Sequence, residues 1–322
     1  MNALIASAEP LQWEAGTGHR FAGVSPALPG KTGFTLLGAE QTGIRFTNIL
    51  TIASAAANHN LMQGAGVTAA DFDGDGWCDL YFCTLEGGNA IYRNLGNFRF
   101  EDVTQQAGAA APPGMFSTGV ASADVNGDGW PDLVIGGNNA VALLMNAGAG
   151  RFTNATTACG LITKPLGANS VALGDLDGDG SLDLFVGNYG DITILRSGGA
   201  ISTRTVNGKP VVSGRFARRW KIVDGVLLEF GEASVVYLND GKGHFKPLSW
   251  TDGTFLDEDG KPLREAPLDL TLSVVIRDLN GDGVPDLYAC NDFQTPDRFW
   301  LNDGQARFRA APRLALRSMS HF

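Results

Sequence analysis

The sequence predicts an all-β chain, a β-propeller of four-stranded antiparallel blades. Three observations predict it. An acidic, glycine-rich loop occurs four times, beginning at Asp71, Asp124, Asp175 and Asp278. A short apolar run follows each loop: Leu80-Tyr81-Phe82, Leu133-Val134-Ile135, Leu184-Phe185-Val186 and Leu287-Tyr288-Ala289. These runs are too short and too rich in β-branched or aromatic residues for helices. A second motif, N-x-G-x-x-x-F, then follows at Asn94, Asn146, Asn239 and Asn302. The unit of strand, acidic loop, strand, turn, strand, N-x-G turn and strand recurs at about 50 residues, the length and strand count of a propeller blade.

Along the chain, residues 1–33 carry no repeat landmark and are rich in Gly, Ala and Pro, so they are read as a leader. Residues 34–50 resemble the end of a repeat, with Phe46 lying 25 residues before its loop. The propeller repeats are expected to fill 34–322, with the chain entering partway through a blade. Val67, Val120, Val171 and Val274 each stand four residues before their loop. Successive loops start 53, 51 and 103 residues apart. The long interval contains one blade carrying an insertion at about 192–233, and some ten more residues after Trp250. Arg196, Arg204, Arg215, Arg218, Arg219 and Lys221 make the insertion basic on an acidic chain. It reads as one or two projecting hairpins and as a contact surface for a partner. A fifth acidic loop would fall near residue 332, so the chain, which ends at Phe322, is expected to be a fragment holding about four to five blades.

The loops carry the chemistry. Each has an acid or amide at positions 1, 3, 5 and 9. The residues are Asp71, Asp73, Asp75 and Asp79; Asp124, Asn126, Asp128 and Asp132; Asp175, Asp177, Asp179 and Asp183; and Asp278, Asn280, Asp282 and Asp286. Carboxylates this close repel one another unless a cation lies among them, and an all-oxygen set of irregular spacing suits Ca2+ better than Mg2+. Glycine at position 6 allows a sharp turn that brings the position-7 carbonyl inward, from Trp77, Trp130, Ser181 or Val284. An EF-hand would need Glu at position 12, where Phe82, Ile135, Val186 and Ala289 stand. Asp-Gly and Asn-Gly are also ordinary hairpin turns, but a turn needs only one such pair. About four Ca2+ ions are expected, with loops two and four the weaker because Asn126 and Asn280 replace a charged ligand.

The net charge is −10, and the four loops alone hold 14 Asp. The acidity is therefore mostly local, and it excludes nucleic acid as the partner class. Cys78, Cys83, Cys159 and Cys290 lack metal-type spacing and read as buried free thiols. No apolar run approaches transmembrane length. Residues 1–10 lack a basic n-region, although Ala6-Ser7-Ala8 has the small-x-small form of a cleavage site. His19, His59, His244 and His321 form no catalytic or zinc motif, and no nucleophile elbow or phosphate loop is present. The reading is a non-enzymatic, calcium-stiffened module for an unknown protein or glycan ligand. The alternative is a calcium-dependent polysaccharide lyase or hydrolase, which would need a base in a central cleft that the sequence does not single out.

The pattern D-x-[DN]-x-D-G-x-x-D-L followed by N-x-G-x-x-x-F resembles the FG-GAP/VCBS repeat of integrin α-subunit propellers and many bacterial surface proteins. Asp75–Phe82, Ala90–Gly96 and Cys290–Phe293 are similar to the group related to cartilage acidic protein, which often ends in an ASPIC/UnbV domain. The resemblance covers about 34–322. It implies a secreted, cell-surface or periplasmic calcium-binding propeller, seven-bladed in the parent protein, acting in adhesion and with no catalytic residues. The Gly-Ala-Pro signature of integrins is absent: Ile135-Gly136-Gly137 and Val186-Gly187-Asn188 occupy its place.

Overall fold

The structure is a computed structural model. It describes residues 13–16 and 19–22 as backbone, and residues 34–164, 166–194, 201–214, 216–223, 225–292 and 295–312. The expectations for Ala6-Ser7-Ala8, Arg196, Arg215, Phe293 and the strand approaching Phe322 lie outside these residues. The chain divides into two compact units, Met1–Gly38 and Ala39–Phe322. In the first, β1 (Trp13–Gly16) and β2 (His19–Ala22) form an antiparallel hairpin, so this stretch holds local structure that its composition did not announce.

The second unit opens with α1 (Ala39–Thr42) and α2 (Ile52–Ala57). Four blades follow, built on the predicted pattern. Blade one is β3 (Val67–Ala70), β4 (Asp79–Phe82), β5 (Ala90–Asn94) and β6 (Phe100–Asp102), paired in that order. After the short α3 (Thr104–Ala107), blade two is β7 (Ser117–Ala123), β8 (Asp132–Gly137), β9 (Ala140–Asn146) and β10 (Phe152–Asn154). Blade three begins with β11 (Ala168–Gly174) and β12 (Asp183–Asn188). The insertion then forms two hairpins, β13 (Ser202–Val206) with β14 (Lys209–Ser213) and β15 (Trp220–Val223) with β16 (Val226–Glu229). β17 (Val235–Asn239) and β18 (Phe245–Pro247) complete the blade, with Leu184 opposite Tyr237 across the gap in sequence. Blade four carries β19 (Phe255–Leu256), β20 (Thr271–Arg277), β21 (Asp286–Asn291), β22 (Arg298–Asn302) and β23 (Phe308–Ala310).

Blade four departs from four antiparallel strands. The extra residues after Trp250 supply β19, which pairs parallel with the outer strand β23. The cause is aromatic packing: Phe255 is fully buried, 4.0 Å from Trp250 and stacked at 5.0 Å on Phe308. A parallel pair needs a long connection, and the rest of the blade provides it.

The cores lie between blades. Phe72, Tyr81, Ile91, Leu133, Ile135 and Phe152 join blades one and two. Val125, Leu143, Val171, Leu184 and Tyr237 join two and three, and Leu176, Phe185, Val274, Leu287 and Trp300 join three and four. The repeat valines point back toward the preceding blade, so Val171 and Val274 are buried while Val67 is 57% exposed. Loop position 2 points forward to the next blade. Phe72, Val125 and Leu176 are at most 2% exposed there, whereas Leu279 of the last described blade is 43% exposed.

One expectation needs correction. Cys78 is exposed, because it lies in the loop ahead of β4 rather than on a strand; Cys83 and Cys159 are buried and Cys290 is intermediate, all as free thiols. Within the insertion, part of the basic charge is paired. Arg219 is buried between Asp191 and Glu229, Arg218 pairs with Glu232, and Lys221 pairs with Glu265. Only Arg219 is sealed: the Arg218 and Lys221 side chains stay 66% and 43% exposed, so the insertion keeps cationic groups at its surface.

Candidate metal-binding loops

Each acidic loop connects the first strand of a blade to the second and is shaped by its own carboxylates. Asp71 accepts hydrogen bonds from the N–H groups of Gly74, Asp75 and Gly76 at 2.8, 3.2 and 2.9 Å. Asp124 repeats this with Gly127, Asp128 and Gly129, Asp175 with Gly178 and Gly180, and Asp278 with Gly281 and Gly283. The position-6 glycines Gly76, Gly129, Gly180 and Gly283 have φ between 87° and 89°, a left-handed conformation that L side chains rarely adopt. At position 5, Asp75, Asp128, Asp179 and Asp282 accept from the N–H of Trp77, Trp130, Ser181 and Val284. Of these four position-7 residues, Trp77 is 54% exposed and Trp130, Ser181 and Val284 are half-buried.

The closing aspartates Asp79, Asp132, Asp183 and Asp286 are buried beneath the loops. Each accepts two backbone hydrogen bonds. One comes from loop position 2 (Phe72, Val125, Leu176, Leu279), the other from the asparagine of the N-x-G motif (Asn94, Asn146, Asn239, Asn302). Burial outweighs these bonds. It pushes Asp79 and Asp132 up to about 6 and Asp183 up to about 7, with neighbouring loop carboxylates adding to the effect. Asp177 is raised as well, first by burial. Buried carboxylates held among other carboxylates are destabilised when ionised, and a cation relieves that cost.

One carboxylate oxygen each from Asp71, Asp73 and Asp79 lies within 4.8 Å of the others, and the same holds for Asp175, Asp177 and Asp183. These two clusters could hold a metal ion, and an all-oxygen donor set fits a hard cation. Loops two and four form no such three-acid group among the described residues. There the position-3 amide is turned on its neighbour: Asn126 Nδ2 donates to Asp128 at 2.9 Å, and Asn280 Nδ2 to Asp282 at 2.8 Å.

Two features escaped the sequence reading. The first is Arg93 on β5, whose Nε lies 2.5 Å from Asp73 and whose Nη2 lies 3.3 Å from Asp75. No base stands within the loop itself, so this cation was missed. Alignment of the N-x-G motifs marks it, because Met145, Leu238 and Leu301 occupy the same place in the other blades.

The second is the side chain of the N-x-G asparagine. Asn146 Nδ2 donates to Phe72 O of the preceding loop at 2.8 Å, Asn239 to Val125 O at 2.7 Å, and Asn302 to Leu176 O at 2.8 Å. The residue so gripped is the position-2 residue, whose own N–H already donates to that loop's closing aspartate. A relay of alternating backbone and amide bonds thus runs from Asp79 through Asp132 and Asp183 to Asp286, across three blade seams.

With this geometry in view, the comparisons with known proteins fall into place. Residues 71–135 and 124–186 match the FG-GAP-like repeat family. Residues 71–186 carry FG-GAP-like repeats. Cartilage acidic protein 1 of Mus musculus is 30% identical over 141 residues, which are 42% of this chain and 21% of that protein. The chain thus spans about a fifth of the length of this curated relative. Among solved structures, an Agrocybe aegerita lectin characterised for recognition of non-reducing terminal N-acetylglucosamine is 20% identical, with 75% of this chain and 63% of the lectin covered and a TM-score of 0.28. The V. cholerae biofilm matrix protein Bap1 is 17% identical, with 76% and 38% covered and a TM-score of 0.30. No helix among the described residues of the chain is long and apolar enough to cross a membrane.

Proposed function

We propose that this chain is a calcium-binding β-propeller that works outside the cytoplasm as an interaction module for a protein or glycan ligand. The observation that carries the reading is the pair of three-carboxylate clusters in loops one and three, each closed by a buried aspartate. Asp71, Asp73, Asp75 and Asp79 would hold one ion and Asp175, Asp177, Asp179 and Asp183 a second. The Asn126 and Asn280 loops, with Asp124, Asp128, Asp132, Asp278, Asp282 and Asp286, would hold weaker ones. The position-7 carbonyls of Trp77, Trp130, Ser181 and Val284 would complete each set. Calcium there supplies charge neutralisation, and the chain's own residues convert it into rigidity. Loop position 2 is fixed by its bond to the closing aspartate, and the next blade's asparagine is fixed on loop position 2. Rigid blades then present their connecting loops to a ligand.

The similarity to cartilage acidic protein 1 supports an extracellular setting. The test is binding of the immobilised chain to arrays of glycans and extracellular matrix proteins, in calcium and in chelator. Saturable binding that chelator abolishes is expected. Binding indifferent to calcium, or calcium-dependent release of new reducing ends from a polysaccharide, would contradict the proposal.

A further inference from the structure

Three of the four loops relieve the repulsion between positions 3 and 5, in two different ways. Loops two and four use the asparagine amide of position 3. Loop one uses the Arg93 guanidinium, which spans both Asp73 and Asp75. Loop three has neither. Leu238 stands where Arg93 does, and no ion pair to Asp177 or Asp179 occurs among the described residues. Arginine at this position also changes the seam beside it. In blade two the corresponding Met145 lies against Gly243 of the next blade, so close that a Cβ on that glycine would stand 2.4 Å from the methionine methyl. In blade one Arg93 is drawn to the loop. A cavity of about 270 Å³ remains at the seam, lined by Arg93, Asp73, Asp79, Ile91, Gly150 and Arg151.

We infer that Arg93 is a built-in occupant of loop one, which a calcium ion must displace, so that loop three fills first and loop one fills only at higher calcium concentration. This rests on the calcium reading above. A divalent ion and a guanidinium cannot share Asp73 and Asp75 without repulsion, and the planar fork of arginine is well matched to two neighbouring carboxylates. The adjoining cavity gives the displaced side chain somewhere to go without unpacking the blade seam. Loop three is therefore a constitutive pin, and loop one is a site whose occupancy reports calcium level.

The experiment is isothermal titration of the full chain with calcium after chelation, on wild type, Arg93→Met and Arg93→Lys. Parallel thermal melts are run in chelator. Wild type is expected to show a tight site lost in Asp177→Ala and a weaker site lost in Asp73→Ala, beside the weak binding of loops two and four that neither variant removes. Arg93→Met should tighten the loop-one site by about two- to five-fold, the span of a partly exposed ion pair. It should leave the tight site unchanged and lower the melting temperature in chelator. Arg93→Lys, a single point charge that cannot bridge both carboxylates, should tighten it less. Calcium binding by Arg93→Met and Arg93→Lys that matches wild type at both sites, or a loop-one site that loosens, would overturn the inference while leaving the calcium reading intact. No calcium binding by any protein would overturn both.

Discussion

Asp79, Asp132 and Asp183 show how a single residue type carries both the shape and the charge of each loop. Each is buried, each orders two backbone N–H groups, and burial lifts each well above the ordinary aspartate value of about 4. The consequence for stability has a definite sign. With the folded value raised above the unfolded one, the contribution of these groups to metal-free stability is complete below about pH 4 and is lost as pH rises through 6–7. Calcium favours the ionised forms, so its stabilising effect must grow over the same range. Thermal melts between pH 4.5 and 7.5 should show the gap between calcium and chelator widening with pH. A gap that narrows would contradict this account of the closing aspartates. The ligand-type residues were legible in the sequence because position and chemistry coincide. Arg93 was not, because it reaches the loop from a strand two elements away.

At the level of elements, the blade was legible because its landmarks are periodic. The valine, the acidic loop and the N-x-G turn recur in phase, and strands β3 to β12 fall where that phase puts them. The fifth strand of blade four was not legible. Two residues, Phe255 and Leu256, carry no periodic signal, and only the aromatic cluster of Trp250, Trp300 and Phe308 selects their place. The asparagine side chains were equally hidden. N-x-G reads as a turn motif, and in each case Asn Oδ1 does accept from the turn, as in Gly148 N to Asn146 at 3.0 Å. The amide nitrogen does something else, since it crosses the seam. Asn146→Ala and Asn239→Ala should each cost about 1–3 kcal/mol, since a buried carbonyl loses its partner. Asn94→Ala should cost less, because its amide bonds only Cys78 O of its own blade. Urea denaturation of the three variants measures this, and equal losses at all three positions would count against the seam bond.

For the whole molecule, the blades form a directional stack, and direction predicts which equivalent residues matter. Phe72 and Leu279 occupy the same loop position, yet one is sealed by the next blade and the other is 43% exposed. Phe72→Ala is expected to cost about 3–5 kcal/mol, the loss for a buried phenylalanine. Leu279→Ala should cost under about 1 kcal/mol, as at a partly exposed position. Chemical denaturation of the two variants side by side checks the difference. Sequence spacing showed that the repeats are equivalent. It did not show that the equivalence ends at the outermost described blades, where Val67 and Leu279 lack a neighbour. The sequence reading expects calcium to stiffen the module, and the relay from Asp79 to Asp286 links the loops from blade to blade. The central claim is that a cation in these loops holds the stack together, and loop three tests it best because no side chain there substitutes for the metal. The decisive measurement is the melting temperature of wild type and Asp177→Ala, each in calcium and in chelator. Calcium should raise the wild-type melting temperature by several degrees and raise that of Asp177→Ala by much less. An equal rise in both proteins, or none in wild type, would contradict the claim.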